Sequence, residues 1–241
     1  MLGVVPYLRV EIEDEDSLSD RLEAKSTVKP LDIAILRLPH VSNFTDFIPL
    51  EQHPLLGVRY VQRTRQLGAP DLVVLPGTKN TMDDLRWLRE SGLEAAVLRL
   101  SAAGTPVLGV CGGYQMLGTA LDDPDGVEQG GRMDGMGLLP CATRFTGQKV
   151  RTRVQACAAA GPFAGAQLDG YEIHMGVTRK RDGQEEQAAM SQIKDQVSGR
   201  RSMDGYSRGN VYGSYIHGIF DREGVAEEIA ESLAKKERRK A

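Results

Sequence analysis

The sequence predicts an α/β fold, a doubly wound and mostly parallel sheet with flanking helices. Three observations carry that expectation. Short apolar runs rich in β-branched residues end at Pro or Gly, as buried parallel strands do. A helical segment lies between two of these runs, and a strand-helix-strand order crosses over right-handedly into a parallel pair. The 241 residues are 41% hydrophobic and 26% charged, enough apolar material for one large core and far from the composition of a disordered chain.

Residues 1–28 start apolar and turn acidic without a sustained period, so they read as a linker or the remnant of an upstream domain, and residues 29–241 as the main domain. The strand runs follow: LDIAILRLP from Leu31, DLVVLPG from Asp71, and PVLGVCGG from Pro106. Between the second and third, Thr81 with Asp84 three residues later resembles a capping box, and Gly92 is a natural stop. Leu93, Ala96, Val97 and Leu100 then share one helical face. Beyond about Gly130, VRTRVQACA, GYEIHMGV and NVYGSYIHG read as shorter strands, with a polar, aperiodic and mobile excursion at about 179–209. The last helix, from Arg222 to about Lys236, spaces Val225, Ile229 and Leu233 four residues apart and ends in basic residues that suit a helix C-terminus.

Composition excludes several functions. With 30 Lys and Arg against 33 Asp and Glu the net charge is −3, which lacks the positive field that nucleic-acid binding needs. No apolar run approaches membrane-spanning length and no signal peptide is legible, so the expectation is a cytoplasmic protein without nucleic acid or membrane as partner. The three cysteines, Cys111, Cys141 and Cys157, have no metal or redox spacing and default to reduced thiols. Neither a phosphate-binding loop nor a zinc constellation is present, so no bound cofactor or metal is expected of this chain.

The informative string is PVLGVCGGYQMLGTAL, an apolar strand that runs through Gly109, Cys111, Gly112 and Gly113 into a helix. It is a nucleophile elbow with Cys in the reactive position, where small neighbours permit the tight turn and the helix N-terminus favours a thiolate. A thiolate nucleophile needs an imidazole as base and then acid. Of His40, His53, His174 and His217, the last is favoured because it closes a strand and is followed by Gly218. His40 and His53 read as solvated loop residues, and His174, beside Glu172, as structural or substrate-positioning. For the oxyanion, the backbone at Gly112 and at Gly77, after the second strand, are the candidate donors.

Taken together, GVCGGYQMLG, LPGTKNT, SNFTDF, GYEIHMG and GSYIHGIFD resemble the class I glutamine amidotransferases, in the branch that holds cobyric acid synthase and cobyrinate diamide synthase. The resemblance runs from about Leu31 to the C-terminus and implies a flavodoxin-like glutaminase fold. It implies that Cys111 attacks the side-chain amide of L-glutamine, with His217 as general base and acid. It implies Gly77 and Gly112 as the oxyanion hole, and Gln115, Glu172 and His174 around the substrate. Many class I glutaminases have Glu two residues after the catalytic His; here that position is Ile219, which implies a Cys-His dyad or a third group from elsewhere.

In the branch, an upstream synthetase domain uses ATP and Mg to amidate a corrinoid acceptor, and MLGVVPYLRVEIEDEDSL resembles its tail. The implied partners are therefore L-glutamine, an ATP-dependent synthetase domain and, through it, adenosylcobyrinic acid a,c-diamide on the route to cobalamin. The alternatives are a glutaminase serving another amidoligase, for cobyrinate a,c-diamide or cell-wall precursors, and a non-catalytic docking module.

Overall fold

The computed structural model describes residues 29–180 and 188–238. The reading of residues 1–28 and part of the 179–209 segment thus lie outside the described residues. The first half of the chain lays down β1 (Leu31–Leu36), α1 (Ile48–Gln52), β2 (Leu56–Val61), α2 (Thr64–Leu67), β3 (Leu72–Leu75), α3 (Thr81–Glu90), α4 (Leu93–Ala102), β4 (Val107–Val110) and α5 (Gly112–Leu117). The second half adds β5 (Ala120–Asp123), β6 (Gly131–Asp134), β7 (Cys141–Ala158), β8 (Gln167–Lys180), β9 (Ser191–Asp195), β10 (Arg201–Asp204), β11 (Tyr206–Arg208), β12 (Val211–Ser214), β13 (Ile216–His217) and α6 (Val225–Arg238).

One sheet has the order β11-β12-β4-β3-β1-β2, parallel except for the antiparallel edge strand β11. Reading the parallel strands in chain order, this is the flavodoxin-like 2-1-3-4-5 arrangement, which leaves a crevice at the carboxyl ends of the strands. The central strands are apolar on both faces and wholly buried, Val73 and Val107 meeting one core cluster and Val74 and Leu108 another. Helix α6 lays Val225, Ile229 and Leu233 into the second cluster, as their spacing predicts.

A second sheet joins β10-β9-β7-β5-β6, with β8 pairing both β7 and β13. The chain passes between the two sheets through a single residue at Gly205, from β10 to β11, and again at Tyr215, from β12 at Ser214 to β13 at Ile216.

Three expectations need correction, and one strand was not anticipated. The cap of α3 is Asn80, whose side chain accepts from the Asp83 N–H at 3.1 Å, while Thr81 is already helical and the Asp84 carboxylate turns to His40 and Thr78. Strand β2 escaped notice because it is an edge strand carrying Arg59, ion-paired to Asp32 at 2.7 Å, in place of an apolar residue. Strands β7 and β8 are 18 and 14 residues long, not short; their polar stretches form an exposed ribbon that hydropathy does not register. The 179–209 segment is no featureless excursion: β9, β10 and β11 lie within it, and the inward positions are held by Ser191, Ile193 and Asp204, which hides the alternation.

Candidate active site

Strand β4 ends in the elbow. Cys111 caps α5 with φ 50° and ψ −109°, a left-handed conformation that a β-carbon disfavours and that surrounding structure must enforce. The enforcement is visible: the Cys111 N–H donates to the Ser214 carbonyl at 2.8 Å, and the Gly113 N–H to the Pro76 carbonyl at 3.1 Å, tying the turn to both neighbouring strand ends. Only glycine fits at 113, where a β-carbon would stand 2.1 Å from the Leu75 carbonyl oxygen. The thiol, 7% exposed, points to the second sheet and donates to the Ile173 carbonyl of β8 at 3.7 Å.

His217 arrives from β13, three residues beyond the parallel partner of β4, and is 1% exposed. Its Nδ1 lies 2.7 Å from Oδ2 of Asp46, a residue 4% exposed in the 3-10 helix Phe44–Phe47 that follows β1. The other Asp46 oxygen accepts from the Gly218 N–H at 2.9 Å, so the carboxylate holds both ring and backbone. With Nδ1 committed, Nε2 is left to exchange a proton with Cys111. Burial by itself would lower the His217 pKa. The hydrogen bond to Asp46, then the hydrogen bond and charge of Cys111, and the charge of Asp46 outweigh it and raise the value to about 10.

Asp46 is a carboxylate partner for His217 where Ile219 offers no polar group, and the sequence reading passed over it. The signal was an acid set between Phe44 and Phe47 in an apolar stretch, where burial demands a partner. Tyr171 was missed as well. Its ring stacks on His217 with centroids 5.4 Å apart, and its hydroxyl accepts from Asn43 at 2.6 Å. Asn43 itself sits at φ 53°, the other non-glycine residue with a left-handed backbone among the described residues.

The remaining sequence candidates are distributed around this pair. Gly77 backs the imidazole, since a β-carbon there would stand 2.8 Å from His217 Cε1. Gly112 opens α5 against Thr78. Gln115 is buried rather than an exposed first-turn residue: it donates to the Met175 carbonyl at 2.9 Å and to the Tyr215 hydroxyl at 3.2 Å, and accepts from Thr81 at 3.0 Å. His174 stacks on Tyr215 at 3.7 Å. Burial, with a smaller contribution from the charge of His217, depresses its pKa to about 4 against the raising effect of its hydrogen bond to the Gly176 backbone, and keeps it neutral. Glu172 is pushed up to about 7 by burial, then by the charges of Asp204 and Asp195. His40 and His53 are not merely solvated: they bind Asp84 and Glu227, each at 2.8 Å.

Cys111, Gln115, Glu172, His174 and His217 all line one cavity of about 890 Å³. The family model for the CobB/CobQ-like glutamine amidotransferase domain matches residues 32–225. The chain belongs to this family. Among curated relatives, this amidotransferase domain is 49% identical over 240 residues to cobyric acid synthase of Ruminiclostridium cellulolyticum, across 98% of the chain and 46% of the relative. It is 44% identical to the cobyric acid synthase of Yersinia enterocolitica, across 97% of the chain and 47% of the relative. The chain spans about half the length of the curated relatives it matches. A solved structure of PurLQS from Thermotoga maritima superposes with TM-score 0.62 at 18% identity, covering 86% of this chain and 99% of that one, a likeness of fold. Among the described residues no helix is long and apolar enough to cross a membrane.

Proposed function

We propose that the domain hydrolyses L-glutamine, with Cys111 as nucleophile, His217 as acid and base and Asp46 as the group that orients His217. The thiolate sulfur attacks the side-chain amide carbon, and the carbonyl oxygen takes the negative charge beside the backbone of Gly77 and Gly112. As the tetrahedral species collapses, the carbon–nitrogen bond breaks and the nitrogen takes a proton from His217, releasing ammonia and leaving a γ-glutamyl thioester. Water, giving a proton back to His217, attacks the thioester carbon and frees glutamate and the thiol. The single observation that carries this reading is the elbow cysteine sharing its cavity with an imidazole whose far nitrogen is held by a buried carboxylate.

The ammonia passes to an ATP-dependent synthetase, for which the unmatched half of the longer relatives has room. ATP and magnesium belong to that partner, whose acceptor would be the corrinoid carboxylates that cobyric acid synthases amidate. Glutaminase turnover and thioester trapping with the chain plus its synthetase test the reading. Cys111→Ala is expected to abolish both, and retained turnover in that variant would overturn it.

A further inference from the structure

Asp84 is a wholly buried carboxylate in the first turn of α3, the helix that follows β3. A charge in such a place needs partners. Its Oδ1 lies 2.8 Å from Nδ1 of His40, and its Oδ2 accepts from the Thr78 hydroxyl at 2.5 Å and from the His40 N–H at 3.2 Å. Burial pushes its pKa above the ordinary carboxylate value, and the hydrogen bonds from Thr78 and His40, with the charge of His40, oppose that rise. His40 follows β1 and Thr78 follows β3, so one carboxylate ties two strand ends together.

What the tie fixes is a peptide bond. Val41 and Thr78 form an isolated antiparallel bridge, flanked by the Ser42 N–H donating to the Gly77 carbonyl at 2.9 Å and the Lys79 N–H donating to the His40 carbonyl at 3.0 Å. These bonds make Val41 and Thr78 a non-hydrogen-bonded pair, whose own N–H and C=O groups point away from the bridge. The planar trans peptide requires the same, since a Gly77 carbonyl aimed at Ser42 turns the Thr78 N–H the opposite way. Gly112 packs against that nitrogen: a β-carbon at 112 would stand 3.2 Å from the Thr78 nitrogen and 2.6 Å from its γ-methyl. Thr78 also lines the cavity that holds Cys111. The Thr78 N–H thus sits beside the residue that follows the nucleophile, where a carbonyl under attack by Cys111 gathers its charge.

We propose that Asp84 is a positioning residue which, by gripping Thr78 and His40, keeps the Gly77–Thr78 peptide turned with its N–H toward Gly112. Asp84 acts only through that peptide. The proposal rests on the glutaminase reading for the reaction it serves, and on the hydrogen bonds alone for the held peptide. Without the carboxylate, the Thr78 hydroxyl and the His40 ring lose their shared acceptor. The peptide is then free to present its carbonyl, which repels the developing charge.

The test uses the full chain with its synthetase, glutamine and iodoacetamide. Iodoacetamide alkylates Cys111 without forming an oxyanion: the sulfur bonds to the methylene carbon, the carbon–iodine bond breaks and iodide leaves with the electron pair. In Asp84→Ala, kcat for glutamine is expected to fall about 10²-fold, as when one oxyanion donor is lost, with KM and the alkylation rate within about twofold of wild type. Asp84→Asn keeps one acceptor oxygen and loses less. Thr78→Val removes only the hydroxyl and covers the case in which Asp84→Ala does not fold; its kcat is expected to fall about tenfold. Amide hydrogen exchange at Ser42 and Lys79 is expected to quicken about tenfold in Asp84→Asn. An unchanged kcat in Asp84→Asn and Thr78→Val would overturn the proposal. So would an alkylation rate that falls as far as kcat, since the loss would then lie at the thiol. A wild-type chain that turns over no glutamine, yet whose exchange at Ser42 and Lys79 quickens in Asp84→Asn, keeps the held peptide and overturns the glutaminase reading instead.

Discussion

Asp46 touches no reacting atom, so whatever it contributes passes through His217. Its 2.7 Å hydrogen bond fixes which ring nitrogen faces the thiol, and its charge helps keep the imidazole protonated. Asp46→Asn keeps the size of the side chain and removes the charge. Glutamine turnover in that variant is expected to fall by about 10²-fold, the lower end of what a positioned acid-base group contributes. The alkaline edge of its pH-rate profile is expected to move to lower pH, because His217 loses the first of the interactions that raise its pKa. Asp46→Glu should recover part of the rate, and an unmoved alkaline edge in Asp46→Asn would show that the carboxylate serves packing alone. This residue was legible only as a letter in a motif. Nothing in the spacing of a sequence says that an acid 171 positions before a histidine will share its proton, since that distance is closed by the sheet order.

At the scale of elements, the elbow shows how little room separates β3, β4 and α5. Gly113→Ala would drive a methyl group into the Leu75 carbonyl, and the backbone there has no flexible end to yield. The expected cost is about 1–3 kcal/mol, the range for overpacking a tight site. Thermal unfolding would report it as a fall of roughly 2–4 °C per kcal/mol. A variant with unchanged Tm would show that β3 and α5 can separate freely. The same tightness explains why the elbow was readable. Backbone approach of this kind tolerates only glycine, so Gly109, Gly112 and Gly113 surround Cys111 in the sequence as they do in space. The central strands were readable because both their faces are apolar. The ribbon was not: β7 alternates buried and exposed positions only in parts, and β10 has an inward aspartate. That aspartate, Asp204, accepts from the Ser214 hydroxyl at 2.6 Å and the Tyr215 N–H at 3.0 Å. A polar residue paired this way carries no hydrophobic signal, yet it fastens the outer sheet to the crossing point.

Across the whole molecule, the titration of His217 couples the site to stability. Its folded pKa of about 10 lies above the ordinary 6.5, so folding is favoured by proton uptake between those values. The contribution is complete below about pH 6.5 and is lost as pH rises through 10. Urea midpoints are therefore expected to decline from pH 7 to pH 10, and to decline less steeply in His217→Gln; equal slopes in the two proteins would contradict the coupling. The fold class and the glycine-lined elbow could be read from local patterns, whereas the buried acid and the stacking tyrosine beside His217 depend on how two sheets come together. Tyr215 stands at that junction. Cys111 follows a strand of one sheet and His217 lies in the other, and Tyr215 alone carries the chain from β12 into β13. On the proposed glutaminase reading the proton crosses a seam between the two sheets, and either sheet can remain intact while that transfer fails. A lesion in the outer layer that leaves every residue of the cavity in place could silence the protein by sliding one layer a fraction of a bond length against its neighbour.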